Sequence, residues 1–408
     1  MHIILNRYSA RIFKLNYVCD KNAVVLVPSH QKEKYDTFLK EGNCLPKVIF
    51  IDDYTFPSLV LEIRKIDQTE NIESITTLSE EDIDWAGYLS DHFVEKNTKS
   101  ISNLLFKDKY FMRSFLQGVV EQPKFRLLES EDDLKLFWKE INTSEAVLKP
   151  RTGAASMGVK KIERGDTIDP TYFTGTFIIE EYVKFENMLT CDGYAISDSI
   201  KRFYVHEYDD LLLDTLNEKS FYLIRTSKLY SQSIDMIELA LLNCQKVLKE
   251  FTVIGELTPF HFEWFYDLAK HRMIFCEVGK RFGGGNIPKM IMDAYDVDIL
   301  HEYWEILTNK DSLNLFSYGE KIVMPKKISG TFALYKKTGY IKSVPAKDSL
   351  YWADRVFINL SPGEYVNSAK NIIENSMMVQ FTGENDEDFN EKLNEIKRVS
   401  QQFIYSEK

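Results

Sequence analysis

Cysteine is scarce. The 408 residues hold five, an odd and scattered set (Cys19, Cys44, Cys191, Cys244, Cys276) with no C-x-x-C pair and no Cys/His cluster. That excludes a thiolate zinc site and a disulfide-stapled scaffold. Reduced, structural thiols in a cytoplasmic protein are the expectation. Long apolar runs are also absent: none reaches the roughly 18 residues that span a bilayer. The opening "MHIILNRYSARIF" has neither a basic stretch nor a small-residue cleavage site, so it reads as a first strand rather than a secretory signal. Positive charge is in deficit, and the net charge of −11 argues against a sequence-independent nucleic-acid binder. The glycine turn G-x-G-x-x-G is missing, which removes a dinucleotide site. So is any Ser/His/Asp or Cys/His arrangement for nucleophilic catalysis.

What is present is ordinary globular composition, 44% hydrophobic and 28% charged, in a chain long enough for two or three domains of about 100–200 residues. Residues 1–105 alternate buried-strand runs ("AVVLVP", "KVIFID", "ESITTLS") with helical segments ("HQKEKYDTFLKEG", "FPSLVLEIRKID"), the pattern of an open parallel sheet. "FKDKYFMRSFLQGVVEQPKF" reads as a helix ended by Gly118, and "SEDDLKLFWKEI" as a helix capped by Ser130. "AVLKP", "VKKIE" and "TFIIEEYV" are strands, and "MIELALLNCQKVLKEF" is an amphipathic helix. After residue 310 come more strand-like segments and a polar closing helix.

The segment "HFEWFYDLAKHRMIFCEVGKRFGGG" (261–285) puts Glu263 and Glu277 inside apolar runs. Burying an unpaired carboxylate is expensive. Taken as a hairpin turning near Lys270, the segment sets Glu263 opposite Glu277, with Cβ atoms about 5 Å apart. His261, Phe265, Met273 and Phe275 share their face. Phe262, Trp264, Tyr266, Ile274, Cys276 and Val278 face a core. Like charges so placed call for a cation. Either a hard metal such as Mg²⁺ or Mn²⁺ sits there, or the pair is salt-bridged to Lys280, Arg281 or Lys289.

"VLKPRTGAASMGV" delivers Lys149 from a strand into a loop of small residues. Gly153 and Gly158 there permit close backbone approach to an anion. A phosphate-covering loop and a plain hairpin turn both fit. It is not a Walker A loop, since Val159 follows Gly158.

In order, "KDKYFMR" (107–113), "LKPRTGAASMGV" (148–159), "IEEYV" (179–183), "CDGY" (191–194), "HFEWF" (261–265) and "EVGKRFGGG" (277–285) resemble the ATP-grasp superfamily over residues 107–295. The E-x-G-x-R-x-G-G-G form is most similar to its carboxylate–amine ligases of the L-amino acid (dipeptide) ligase type. "SEEDIDWAGYLSDHF" (79–93) resembles the end of their N-terminal domain.

The resemblance implies an α/β chain in parts. These are an N-terminal pre-ATP-grasp domain (1–105), an ATP-grasp domain (106–310, with a nucleotide lobe 106–184 and a metal and substrate lobe 185–310), and a C-terminal α+β region (311–408). It implies ATP and Mg²⁺ (or Mn²⁺) as cofactors. Lys109 and Lys149 would contact phosphates under the 153–158 loop, with Gly153, Ser156 and Gly158. Glu180 would take the adenine amino group, with the backbone of Glu181 and Val183 on the adenine edge, and Asn187 or Glu186 on the ribose. Glu263 and Glu277 would hold the metal. Arg281 would stabilise the acyl phosphate. His261 would touch the substrate carboxylate or serve only as a cross-strand partner.

One departure is Gly279, where many superfamily members have Asn. The reaction implied is carboxylate phosphorylation, then amide formation with an amino-acid or peptide substrate, in the cytoplasm, away from nucleic acid and membrane. The alternatives are a carrier-protein thiol as acceptor and a non-catalytic ATP-binding module. The substrate pocket is expected within 185–235 and 281–300, with Arg202 and Arg225 as carboxylate binders or surface residues. A homodimer is the commonest closed assembly.

Overall fold

The computed structural model describes residues 1–94, 98–185, 187–218 and 220–406. It is a mixed α/β structure. The N-terminal part is a four-stranded parallel sheet ordered Lys47–Ile51, Ala23–Pro28, His2–Leu5, Ser74–Thr77. The central strands are buried at every position because helices cover both faces. On one face Leu59 and Ile63 of helix Phe56–Asp67 and Ala86 and Leu89 of helix Ile83–Phe93 pack against Ile3, Leu5, Val24 and Leu26.

A small antiparallel sheet follows, ordered Phe125–Leu128, Phe177–Glu181, Glu145–Pro150, Lys160–Glu163. Helix Glu131–Glu140 lies on it, with Phe137 fully buried. As expected, Ser130 caps this helix by accepting from Asp133 N. The large sheet has eight antiparallel strands. It runs from Arg272–Gly279 through Leu257–Asp267, Asn187–Ile196, Ser199–Tyr208, Phe221–Thr226, Ile328–Tyr335 and Asn375–Gly383 to Arg355–Ile358. Strands from beyond residue 310 therefore extend the same sheet that carries the glutamate hairpin. Helix Ile234–Phe251 packs on one face, with Met236, Ala240, Cys244 and Val247 in the core.

Two expectations need correction. The helix read through to Gly118 is short, Lys109–Phe115: Asp108 accepts from Tyr110 N and Phe111 N at its start, and a turn containing Gly118 (φ 77°) follows its end. A separate helix, Lys99–Leu105, precedes it. The thiols are not all reduced: Cys19 and Cys44 are bonded, while Cys191, Cys244 and Cys276 are free and buried. The cause is topological. Val24 pairs with Lys47 in parallel register, so the segments leading into those strands enter the sheet side by side.

Candidate active site

The hairpin forms with Glu263 directly opposite Glu277. Below that pair Trp264 stands opposite Phe275, so Cys276 is an extra residue on the returning strand, a β-bulge. The bulge corrects the predicted faces. Phe275 turns into the core against Trp264, ring centroids 5.2 Å apart, and Met273 joins the same core. Cys276 instead lines the cleft beside Glu277. Burial there pushes its thiol up to about 12, outweighing Lys149, so it stays protonated at neutral pH.

None of the three cations named as salt-bridge alternatives reaches the pair. Lys280 binds Glu256, Arg281 binds Glu80 and Lys289 binds Asp293. Lys109 Nζ lies 3.3 Å from Glu277 Oε2. Burial pushes the Glu277 carboxyl up, but Lys109 and Lys149 outweigh it and hold it below its usual value. Glu263 Oε1 lies 3.5 Å from the Tyr208 hydroxyl and 3.6 Å from His261 Nε2.

A cleft opens between the small and large sheets. Lys109, Lys149, Glu180, Glu263 and Glu277 line it, and so do Gly153, Ser156, Glu181 and Val183. Its other walls are apolar, including Val147, Met188, Leu212 and Phe265. A flat heterocycle suits that part and phosphates suit the cationic end. The 153–158 loop borders the cationic end of the cleft. Ala155, Ser156 and Gly158 have φ of 56°, 58° and 72°, and Met157 N and Val159 N donate within the loop to Ala154 O and Ser156 O.

At Gly158 an added Cβ would also meet Pro150 Cγ at 2.9 Å. Gly158→Ala is therefore expected to cost about 1–2 kcal/mol in loop conformation. It should weaken nucleotide binding about 5–30-fold, as read by calorimetry with ATP.

Glu180 is the most constrained of these residues. Its carboxylate accepts from Arg113 Nε at 2.8 Å and lies 2.8 Å from Lys149 Nζ. Burial raises its pKa, but the two cations prevail and hold it at about 2. Gly158 does not line the cleft, but it shapes the loop that does. Asn187 is exposed at the start of its strand and is not among the lining residues. Glu186 lies outside the described residues.

His261 stands opposite Asp192 on the adjoining strand, and its Nδ1 is 2.8 Å from Asp192 Oδ1. Burial lowers the imidazole pKa, but Asp192 more than reverses this and sets it at about 9, so the ring is cationic at neutral pH. Asp192 is fully buried and also accepts from Gly283 N at 3.0 Å and Thr190 Oγ1 at 2.9 Å. Arg202 and Arg225 do not line the cleft; Arg225 is buried and Arg202 is partly exposed. Arg202 binds Glu302 and Arg225 binds Asp386, both as structural ties.

Four residues of the site were not assigned from sequence. Arg113 lies one helical turn beyond Lys109, and that spacing was a usable signal. Asp192 was visible in "CDGY". Tyr208 and Glu80 had no local signal, because pairing across distant elements brings them in.

These sheets, with the cleft between them, have the ATP-grasp fold. No family model and no curated protein matches the chain by sequence. Solved structures do match in fold. The L-amino acid ligase from Bacillus licheniformis superposes with a TM-score of 0.74 at 13% identity, covering 99% of this chain and 98% of that one. Phosphoribosylglycinamide synthetase from Anaerococcus prevotii gives 0.69 at 10%, covering 100% and 99%. A biotin carboxylase complex with β,γ-ATP from Campylobacter jejuni gives 0.62 at 14%, covering 99% and 92%.

The donor set fits a hard divalent cation. Two carboxylates face each other across one hairpin, Glu277 with the Lys109 ammonium at 3.3 Å and Glu263 with the His261 ring at 3.6 Å. Among the described residues no group of three or more His, Cys, Asp or Glu converges as a self-sufficient metal site. Phosphate oxygens and water would have to complete the shell, as is usual for Mg²⁺.

Proposed function

We propose that the protein is an ATP-dependent ligase. It phosphorylates a substrate carboxylate, couples the resulting acyl phosphate to an amine, and releases ADP and phosphate. The substrate is an amino acid or a peptide. The observation that carries this reading is the opposed pair Glu263–Glu277 sharing one cleft with Lys109 and Lys149.

The chemistry is mostly positioning and electrostatics. Lys109, Lys149 and the 153–158 loop hold the phosphates. Glu180, Glu181 and Val183 line the part of the cleft that takes the base. Mg²⁺ held by Glu263 and Glu277 would neutralise charge on the phosphate oxygens. A substrate carboxylate oxygen attacks the γ-phosphorus and ADP leaves. The amine then attacks the acyl carbon and phosphate leaves with that oxygen. Arg281 and the His261 imidazolium provide cationic donors for the carboxylate and the acyl phosphate. The loop closes over the mixed anhydride, which water would otherwise destroy.

We place the reaction in the cytoplasm, where ATP is maintained. The Cys19–Cys44 bond, a kind rare in reducing compartments, opposes that placement. Trapping thiols by alkylation at cell lysis decides it.

The test is to incubate the protein with Mg·ATP, pooled amino acids and hydroxylamine. ADP, phosphate and hydroxamate are the expected products, and omitting pool members singly names the donor. AMP and pyrophosphate would refute the reading. ATP binding without turnover would move it to a carrier-protein acceptor or to a binding module.

A further inference from the structure

Arg281 is held by the N-terminal part of the chain. Its Nε donates to Glu80 Oε2 at 2.6 Å, across 201 residues of sequence. Glu80 belongs to the short turn Glu80–Asp82 that leads into helix Ile83–Phe93. Lys107 fixes it from below, donating to its backbone oxygen at 2.6 Å and lying 3.6 Å from its Oε1. With His261, Glu277 and Arg281, Glu80 lines a small recess that shares Lys109 and Gly153 with the cleft. Arg281 Nη1 donates to Phe282 O. Its Nη2 has no protein partner among the described residues.

Residue 279 gives an independent observation. Gly279 does not have a positive φ, so its backbone does not demand glycine. A Cβ there would stand 3.1 Å from Glu80 Oε2 and 3.4 Å from Arg281 Cγ. The glycine leaves room for the Glu80–Arg281 pair; a Cβ there would press on it and require it to shift by a few tenths of an ångström.

We infer that Glu80 is a positioning residue for Arg281, holding the guanidinium by Nε so that Nη2 is the donor left for the reacting phosphoryl or acyl phosphate. This rests on the proposed ligase reading. It makes the N-terminal part of the chain a component of the catalytic unit, with Gly279 as the space that permits it.

The experiment compares wild type, Glu80→Ala, Glu80→Gln, Gly279→Ala and Glu80→Ala/Gly279→Ala in the hydroxamate assay, with thermal midpoints measured alongside. Glu80→Ala is expected to lower kcat about 10–100-fold, the usual effect of losing a group that orients a ligand residue, with KM for ATP nearly unchanged. Glu80→Gln, which keeps an oxygen acceptor for Nε, should recover most of kcat. Gly279→Ala should be harmful alone and add little to Glu80→Ala, because both disturb one contact.

An unchanged kcat in Glu80→Ala would overturn the inference and leave the ligase reading standing. So would a loss of kcat that merely follows a fall in the thermal midpoint of both Glu80 variants. A wild type that forms no hydroxamate overturns the ligase reading, and this inference with it.

Discussion

Glu277→Gln is expected to abolish ATP turnover, lowering kcat at least about 10²-fold. The substitution is close to isosteric and removes one negative charge from a buried site. Glu277 faces Glu263 across the hairpin and Lys109 at 3.3 Å. A neutral amide there binds a divalent cation poorly and leaves the Lys109 ammonium without its counter-charge. The fold should survive, because the like-charge opposition to Glu263 is relieved at the same time. Steady-state ADP release together with a thermal midpoint checks both halves. Turnover within a few-fold of wild type would remove Glu277 from the chemistry.

Arg113→Met is expected to produce the largest loss of stability, about 3–5 kcal/mol, the usual cost of removing one partner of a buried ion pair. Arg113 is 1% exposed. Besides Glu180 it donates to Phe275 O at 2.9 Å and Cys276 O at 2.6 Å, the carbonyls of the bulged strand. One guanidinium therefore ties the small sheet to the bulge that presents Glu277. Its loss leaves Glu180 with Lys149 alone and two carbonyls unpaired. Midpoints of thermal or denaturant unfolding report it.

The same residue sets a pH dependence. The Glu180 carboxyl is held at about 2, below its usual 4.5, so the stability it contributes is present above about 4.5 and lost as pH falls toward 2. From that shift the contribution is on the order of 3 kcal/mol at neutral pH. The acid limb of the stability curve should therefore flatten in Glu180→Gln.

Much of this was legible in the sequence because it is local. Strand periodicity and a single turn position were enough to set Glu263 opposite Glu277. The parallel sheet followed from alternating runs, and the small-residue loop was visible as a run of Gly, Ala and Ser.

What was not legible depends on long-range pairing. The bulge at Cys276 leaves no mark in an unbroken apolar run, yet it exchanges Phe275 for Cys276 on the cleft side. Glu80 and Tyr208 enter the site through sheet order and packing between parts, which no local spacing encodes. The Cys19–Cys44 bond follows from a parallel register between strands separated by a helix.

The most direct test of carboxylate activation follows the oxygen. Once the donor is identified, it is supplied with ¹⁸O in its carboxylate, and the released phosphate is analysed by mass spectrometry. The account predicts one ¹⁸O in each phosphate formed, carried over through the acyl phosphate. Phosphate free of label, with amide product accumulating, would contradict it.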